Sequence, residues 1–373
     1  MIADEKSCEP QDAVSSSLIC SRRAFLVLAA CGLLAACDAP QAASHSTSPT
    51  RTPTPLTPAG PITAENAARL TQLAQFSPRD GYLRAVAWAP DDHTLAAGGS
   101  AIHTWDVTTG QQLGVWKANG GQINMLAWSA ATGLLASADD DAAARIWDPS
   151  HGSVIHVLPN SSKMPVLSVA WAPDGTKLAT GTWEGTVELW DARTGRHLAT
   201  WAGPPLRPAQ GGRNPYAVWG VAWAPDGRVV TSTRYDRHVL VWEAASGRLL
   251  ASLTPDSQPN GVAWRPDGSG FATSDDAGTI QLWDAQKSYA DAGALQPREY
   301  AGWSYPLAWK RDGTLLACGA STGLVQLWDM RAGTELAPLQ AHQAPVWGVA
   351  WSADASRLAT GSDDTTVRIW GVR

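Results

Sequence analysis

Cysteine is scarce where it would matter. Five are present, but Cys8, Cys20, Cys31 and Cys37 all fall in the first 37 residues. The fifth, Cys318, stands alone in a short apolar stretch, Leu315-Leu316-Ala317-Cys318. One thiol builds neither a disulfide framework nor a paired metal site, and Cys318 reads as a small buried hydrophobe. The eight histidines include no pair at HxxxH or HExxH spacing. There is no Gly-x-Ser-x-Gly elbow and no Gly-rich phosphate loop. The acidic runs at 139–141, 275–276 and 363–364 lack the alternating ligands and distal Glu of a calcium loop, and read as tight turns. No catalytic, cofactor-binding or metal residue is therefore expected. Net charge is −6 with scattered basic residues, which excludes a cationic stripe for nucleic acid. The apolar run at 24–36 has 13 residues, too few to cross a bilayer of about 30 Å as a helix.

Tryptophan is in excess, at 20 residues, and fourteen of them mark seven copies of one pattern. The first Trp of each copy is Trp88, Trp128, Trp171, Trp223, Trp264, Trp309 or Trp351. The second is Trp105, Trp147, Trp190, Trp242, Trp283, Trp328 or Trp370. The copies recur at 40, 43, 52, 41, 45 and 42 residues. A period in the low forties with regular turn chemistry indicates a circular array of four-stranded units.

The copy at 166–201 shows how one unit forms. Residues 166–171 are β-branched and aromatic and form a first strand. Pro173-Asp174-Gly175 makes a turn, 177–180 a second strand, Glu184-Gly185 another turn, and 186–190 a third strand with clean alternation. Gly195 opens the turn to an outer strand ending at Trp201. Glycine recurs there at Gly110, Gly152, Gly247 and Gly333, with Ser288 the departure. A single meander cannot bury both its faces; seven stacked around an axis can. No outer strand follows Trp370, whereas residues 67–76 have the pattern of one. The expectation is an all-β, seven-bladed β-propeller over 67–373, with four antiparallel strands per blade and the ring closed by the N-terminal strand.

Residues 67–373 resemble the WD-repeat β-propellers. That resemblance implies a structural hydrogen-bond set of loop His, second-strand Ser/Thr, turn Asp and third-strand Trp. Copy seven matches it with His342, Thr360, Asp364 and Trp370. Elsewhere it is degraded: the His position holds Arg79, Asn119, Ser162, Asn214, Pro255 and Tyr300, and the Asp position is Ala277 in copy five and Thr322 in copy six. Blades five and six are accordingly expected to be the less rigid ones.

The N-terminal region reads as an address and a tether. Arg22-Arg23 with Phe25-Leu26 resembles a twin-arginine export signal. Leu34-Ala35-Ala36-Cys37 resembles a bacterial lipobox, with Cys37 the lipidated residue; Cys31 would leave a shorter apolar run. Residues 1–37 are expected to be a signal peptide and 38–66 a linker rich in Ser, Thr and Pro. Acyl chains on Cys37 would hold the protein on the extracytoplasmic side of a bacterial cell membrane without spanning it.

The resemblance also implies a partner surface on the face carrying the loops before the first strand and between the second and third. Its positions lie six and four residues before the first Trp, and just before the turn Asp. They hold Tyr82, Arg84, Trp183, Trp219, Tyr235, Trp303, Tyr305 and Trp347. Exposed Trp and Tyr with Arg beside them have hot-spot composition. The insertion at 203–215, with Arg207 and Arg213, opens on the same face. The expected activity is a protein-binding scaffold, monomeric as a ring, with the membrane met only through lipid. Recognition of cell-envelope glycan and an enzyme site at the axial channel are the alternatives.

Overall fold

The computed structural model describes residues 57–78, 81–118, 121–204, 216–298 and 302–373, with the backbone alone at Ser304 and Tyr305. The signal segment with Cys37, the start of the linker, Arg79, Asn119, Arg207, Arg213, Asn214 and Tyr300 lie outside the described residues.

Seven antiparallel sheets follow one another along the chain. Blade 1 runs Ala85–Trp88, Thr94–Gly98, Ile102–Asp106 and Gln112–Trp116, and blade 2 runs Ile123–Trp128, Leu135–Asp139, Ala143–Asp148 and Ser153–Pro159. Blades 3, 4 and 5 begin at Val166–Trp171, Val218–Trp223 and Pro259–Trp264. Blade 6 begins at Ser304–Trp309, and its outer strand is split into Thr334–Glu335 and Leu339–Gln340. Pro338 sits at the split and has no N–H for the ladder. Blade 7 contributes Val346–Trp351, Leu358–Ser362 and Val367–Val372.

The first strands of neighbouring blades pack on one another all the way round, blade 7 on blade 1 included. Second strands are almost wholly buried, whereas outer strands keep exposed faces. The outer strand of blade 7 is Leu70–Phe76, in register with Val372 at one end and Val367 at the other. Of the four apolar residues in that strand, only Leu73 is buried, while Phe76 stacks on Trp105 of blade 1 at 4.9 Å. The packing begins before residue 67: Ile62 is 0% exposed, and the amides of Ala59 and Ile62 bond to the carbonyls of Val372 and Ala355.

Twelve of the fourteen repeat tryptophans divide into two jobs. Nε1 of each first-strand Trp reaches into the preceding blade. Trp128 bonds Ala87 O at 3.1 Å, Trp171 bonds Ala127 O at 2.9 Å, and Trp88 closes the circle on Ala350 O at 3.1 Å. Trp264 alone takes a hydroxyl, Thr231 Oγ1, because blade 4 has Thr where its neighbours have Ala. Third-strand tryptophans bond within their blade, Trp147 to Ser137, Trp190 to Thr180, Trp242 to Ser232, Trp283 to Thr273 and Trp370 to Thr360, at 3.0–3.1 Å. In blade 6 that acceptor position is Cys318, and Trp328 Nε1 has no acceptor among the described residues. Ser288, the departure from glycine, adopts φ 55° behind a short helical turn capped by Asp284.

In blade 7, Trp370 Nε1 donates to Thr360, the Thr360 hydroxyl reaches His342 Nε2 at 2.6 Å, and His342 Nδ1 lies 2.9 Å from Asp364. Burial lowers the His342 pKa, with Asp364 opposing. Blade 2 reaches the same end by ion pairing. Arg145 is shared by Asp139 and Asp141, and Asp139 is wholly buried. Burial pushes the Asp139 carboxyl up to about 6, against the pull of Arg145. A carboxyl that binds its proton more tightly folded than unfolded loses stability as pH rises between about 3.8 and about 6. Asp139→Asn should therefore gain on the parent through that window in denaturant melts, and keep the gain above it. A difference that stays constant across the window contradicts this.

Candidate interaction face

Three sequence positions per repeat meet on the loop face, and the backbone explains how. In six blades the residue before the turn Asp donates its amide to the carbonyl six places before the first Trp. The pairs are Asp140 to Gln122, Trp183 to Pro165, Tyr235 to Ala217, Asp276 to Gln258, Ser321 to Trp303 and Asp363 to Pro345, at 2.9–3.1 Å. The position four before the first Trp sits at a register break in blades 2 to 7. A bulge leaves a residue out of the ladder and re-aims its side chain. Asn124, Leu167, Trp219, Asn260, Tyr305 and Trp347 are the residues at these breaks.

The aromatic residues gather into two groups, each astride a blade boundary. Trp183 of blade 3 meets Trp219 of blade 4 edge-on, with ring centroids 6.3 Å apart. Trp303 of blade 6 meets Trp347 of blade 7 at 4.9 Å. Arg84 of blade 1 extends the second group: its guanidinium lies 5.7 Å from the Trp347 ring, 5.8 Å from the Tyr82 ring and 3.9 Å from the Asp363 carboxylate. Tyr82 is 53% exposed. Arg84, Trp183, Trp219, Tyr235, Trp303 and Trp347 are half-buried, less open than their loop positions suggest, because the tryptophans pack on one another and on Arg84 across blade boundaries. The Tyr305 side chain is outside the described residues.

Polar pairs occupy the blades between the aromatic groups. Asn124 Nδ2 donates to Asp140 at 2.7 Å in blade 2, and Asn260 Nδ2 to Asp276 at 2.8 Å in blade 5. These four residues occupy two of the same three loop positions, yet an aromatic criterion passes over them. Burial raises the Asp276 pKa, and the Asn260 hydrogen bond partly opposes it. Arg234, beneath this face, is matched by Asp236 at 2.5 Å and by the Tyr216 ring at 5.2 Å. Away from the loops, Leu113, Val115, Val154, Ile155 and Val157 are exposed on the outer strands of blades 1 and 2.

Comparison with known proteins agrees with this architecture. A family model described as Nucleolar protein 10-like, N-terminal domain, matches residues 78–283, and one described as WD domain, G-beta repeat, matches residues 333–371. Intraflagellar transport protein 80 homolog of Rattus norvegicus is 30% identical over 157 residues, covering 42% of this chain and 18% of its own. A guanine nucleotide-binding protein subunit beta of Oryza sativa subsp. indica is 26% identical, over 46% of this chain and 47% of its own. Periodic tryptophan protein 2 homolog of Schizosaccharomyces pombe is 24% identical, over 55% and 25%. The chain thus spans less than half the length of these relatives. With more than half its residues under the first family model and seven closed blades, the chain belongs to the β-propeller family described as Nucleolar protein 10-like, N-terminal domain.

Proposed function

We propose that this propeller is a protein-binding scaffold whose contact surface is the loop face, held at the extracytoplasmic side of a bacterial membrane by lipid on Cys37. One observation carries the first half: Trp183–Trp219 and Trp303–Trp347 pair across blade boundaries at loop positions and remain partly open. Paired aromatics on a rigid frame offer large contact area at little entropic cost, which is the composition of binding hot spots. The names of two relatives, a guanine nucleotide-binding protein subunit and an intraflagellar transport protein, support a scaffold over an enzyme. The tether rests on Arg22-Arg23 and Leu34-Ala35-Ala36-Cys37.

The double variant Trp183→Ala/Trp303→Ala tests the surface. It should lose about 2 kcal/mol or more of partner affinity. Because each ring is half-buried, the stability cost should stay well below the roughly 3–5 kcal/mol of a core aromatic. A collapse of the thermal melt would mark these rings as core, and undiminished partner recovery from native membranes would move the contact surface elsewhere. Cys37→Ala should abolish lipid labelling; continued labelling would displace the tether to another residue.

A further inference from the structure

We infer that a groove between blades 1 and 2, at the end of the blades away from the loop face, is a binding site for a neutral sugar ring, with the Thr104 hydroxyl at its floor. The groove is lined by the turn after the first strand of blade 1 and the turn after the third strand of blade 2. Its volume is about 690 Å³, within the roughly 300–1,000 Å³ of small-molecule sites. The site is separate from the aromatic loop face and does not depend on it.

Two residues of blade 1 carve the floor. The residue before the third-strand Trp is aliphatic in the other six blades, as Ile146, Leu189, Val241, Leu282, Leu327 and Ile369, but is Thr104 in blade 1. Thr104 is 2% exposed and lines the groove, and its Oγ1 has no hydrogen-bond partner among the described residues. A buried hydroxyl left unpaired is costly and calls for a polar partner. Opposite it in the outer strand stands Gly114, where blades 2, 3, 4 and 7 have His156, Ala199, Ala251 and Ala74. Gly114 lacks the positive φ that would demand glycine. A Cβ there would stand 2.6 Å from Trp116 Nε1 and 3.3 Å from Thr104 Oγ1, so the missing side chain leaves space over an indole N–H and a hydroxyl on one face. Blade 3 is the internal comparison. Trp201 stacks on Trp242 there as Trp116 stacks on Trp147, yet Leu189 and Ala199 replace Thr104 and Gly114. Packing of the outer-strand tryptophan therefore requires neither substitution.

The lining selects the ligand class. No Lys or Arg lines the groove. Its one carboxylate, Asp91, is engaged at both oxygens, by the amides of His93 and Thr94 and by the Thr94 hydroxyl, each at 2.8 Å. His151 has Nδ1 held by Asp148 at 2.7 Å, which leaves Nε2 for a ligand. An ion would go unmatched here, and a wholly apolar molecule would leave the Thr104 hydroxyl unpaired. What the groove offers is apolar surface from Trp116, Trp128, Leu113 and Val115, with Thr104 Oγ1, Trp116 Nε1 and His151 Nε2 dispersed among it. A pyranose ring matches that mixture. Its C–H faces lie on the apolar surface, while its hydroxyls both accept from the indole N–H and exchange hydrogen bonds with the threonine. Leu113 and Val115, 54% and 47% exposed, are the residues such a ring would cover.

The test uses the full chain in a detergent without a sugar headgroup, and saturation-transfer NMR with four probes: cellobiose, N,N′-diacetylchitobiose, the anion cellobionate and N-acetyltyrosinamide. At least one of the two neutral disaccharides should bind at millimolar concentration, and which of them does so separates a glucan from an amino-sugar polymer. Thr104→Val keeps the shape and deletes the hydroxyl. It should weaken that binding about tenfold and raise the melting temperature, since blade 1 then carries an aliphatic residue like the other six. Gly114→Ala, a residue that blade 3 has at that place, should weaken binding comparably by filling the space over Thr104 and Trp116. If Thr104→Val does not fold, Gly114→Ala decides. Failure of both disaccharides to bind overturns the inference; a raised melting temperature for Thr104→Val in that case would assign the hydroxyl to water alone. Unchanged binding in either folded variant also overturns it, by moving the sugar elsewhere on the ring. Tighter binding of cellobionate would overturn the neutral class, and tighter binding of N-acetyltyrosinamide would give the groove to an aromatic side chain of a partner instead.

Discussion

A chain beginning at Gly81 is expected to lose the closed ring. The truncation strips Val367–Val372 of its partner strand, leaving a row of unpaired backbone groups along an apolar edge. It also removes Ile62 and Leu73, both covered by the last blade, and the Phe76 ring stacked on Trp105. At about 2–5 kcal/mol for each large buried apolar side chain, the loss is a large part of the roughly 5–15 kcal/mol that holds most domains folded. The melting transition should fall sharply and broaden, and the protein should associate through the bared edge. A truncated chain with an unchanged melting temperature and elution volume would show that the strand adds nothing to closure. Restoring residues 67–80 without 57–66 should recover only part of the loss, because Ile62 and the amide of Ala59 would still be missing from blade 7.

The second large effect is expected at the tryptophans that join blades. Trp171→Ala removes a ring packed among Leu178, Trp190 and Val169, and with it the bond to Ala127 of blade 2. The cost should be about 3–5 kcal/mol. Trp171→Phe keeps most of the ring volume and deletes the donor, so its cost should fall near the 0.5–1.5 kcal/mol of one net hydrogen bond, plus the small loss of area. Denaturant melts of the two variants separate packing from hydrogen bonding. Equal costs would mean that the indole N–H, and not the ring, does the joining; a negligible cost for Trp171→Ala would deny the joint altogether. The same pair of substitutions at Trp264 should show a smaller penalty for Phe, because its acceptor is the rotatable Thr231 hydroxyl, which can turn to another partner.

The two expectations differ in how visible they are before folding. Blade number, strand order and the closing strand follow from spacing and turn chemistry, which are local properties repeated seven times. The pattern at 67–76 matches the other outer strands, and the ladder to Val367–Val372 realises it. Ile62 was hidden because residues 57–66 read as an extension of a Ser/Thr/Pro-rich linker, and one apolar residue in such a stretch carries no period. The His342, Thr360, Asp364 and Trp370 bonds follow a motif of fixed spacing. The substitute in blade 2, Arg145 between two aspartates, has no such spacing and appears only once side chains are placed.

The sequence by itself determined that this chain forms a ring of seven blades, and its resemblance to the WD-repeat propellers implied which loop positions share one face. Period, turn residues and alternation act within a single repeat, and they need no knowledge of the neighbours. Only the tertiary structure decided which residues meet across blade boundaries. Trp183 found Trp219, Trp303 found Trp347, Arg84 settled over Trp347, and each first-strand tryptophan found a carbonyl or hydroxyl one blade back. Those contacts depend on the rotation between successive sheets and on bulges that turn a side chain out of the ladder. Neither is encoded at any one position, so the repeats could be counted from the sequence while the surface they build could not be drawn from it.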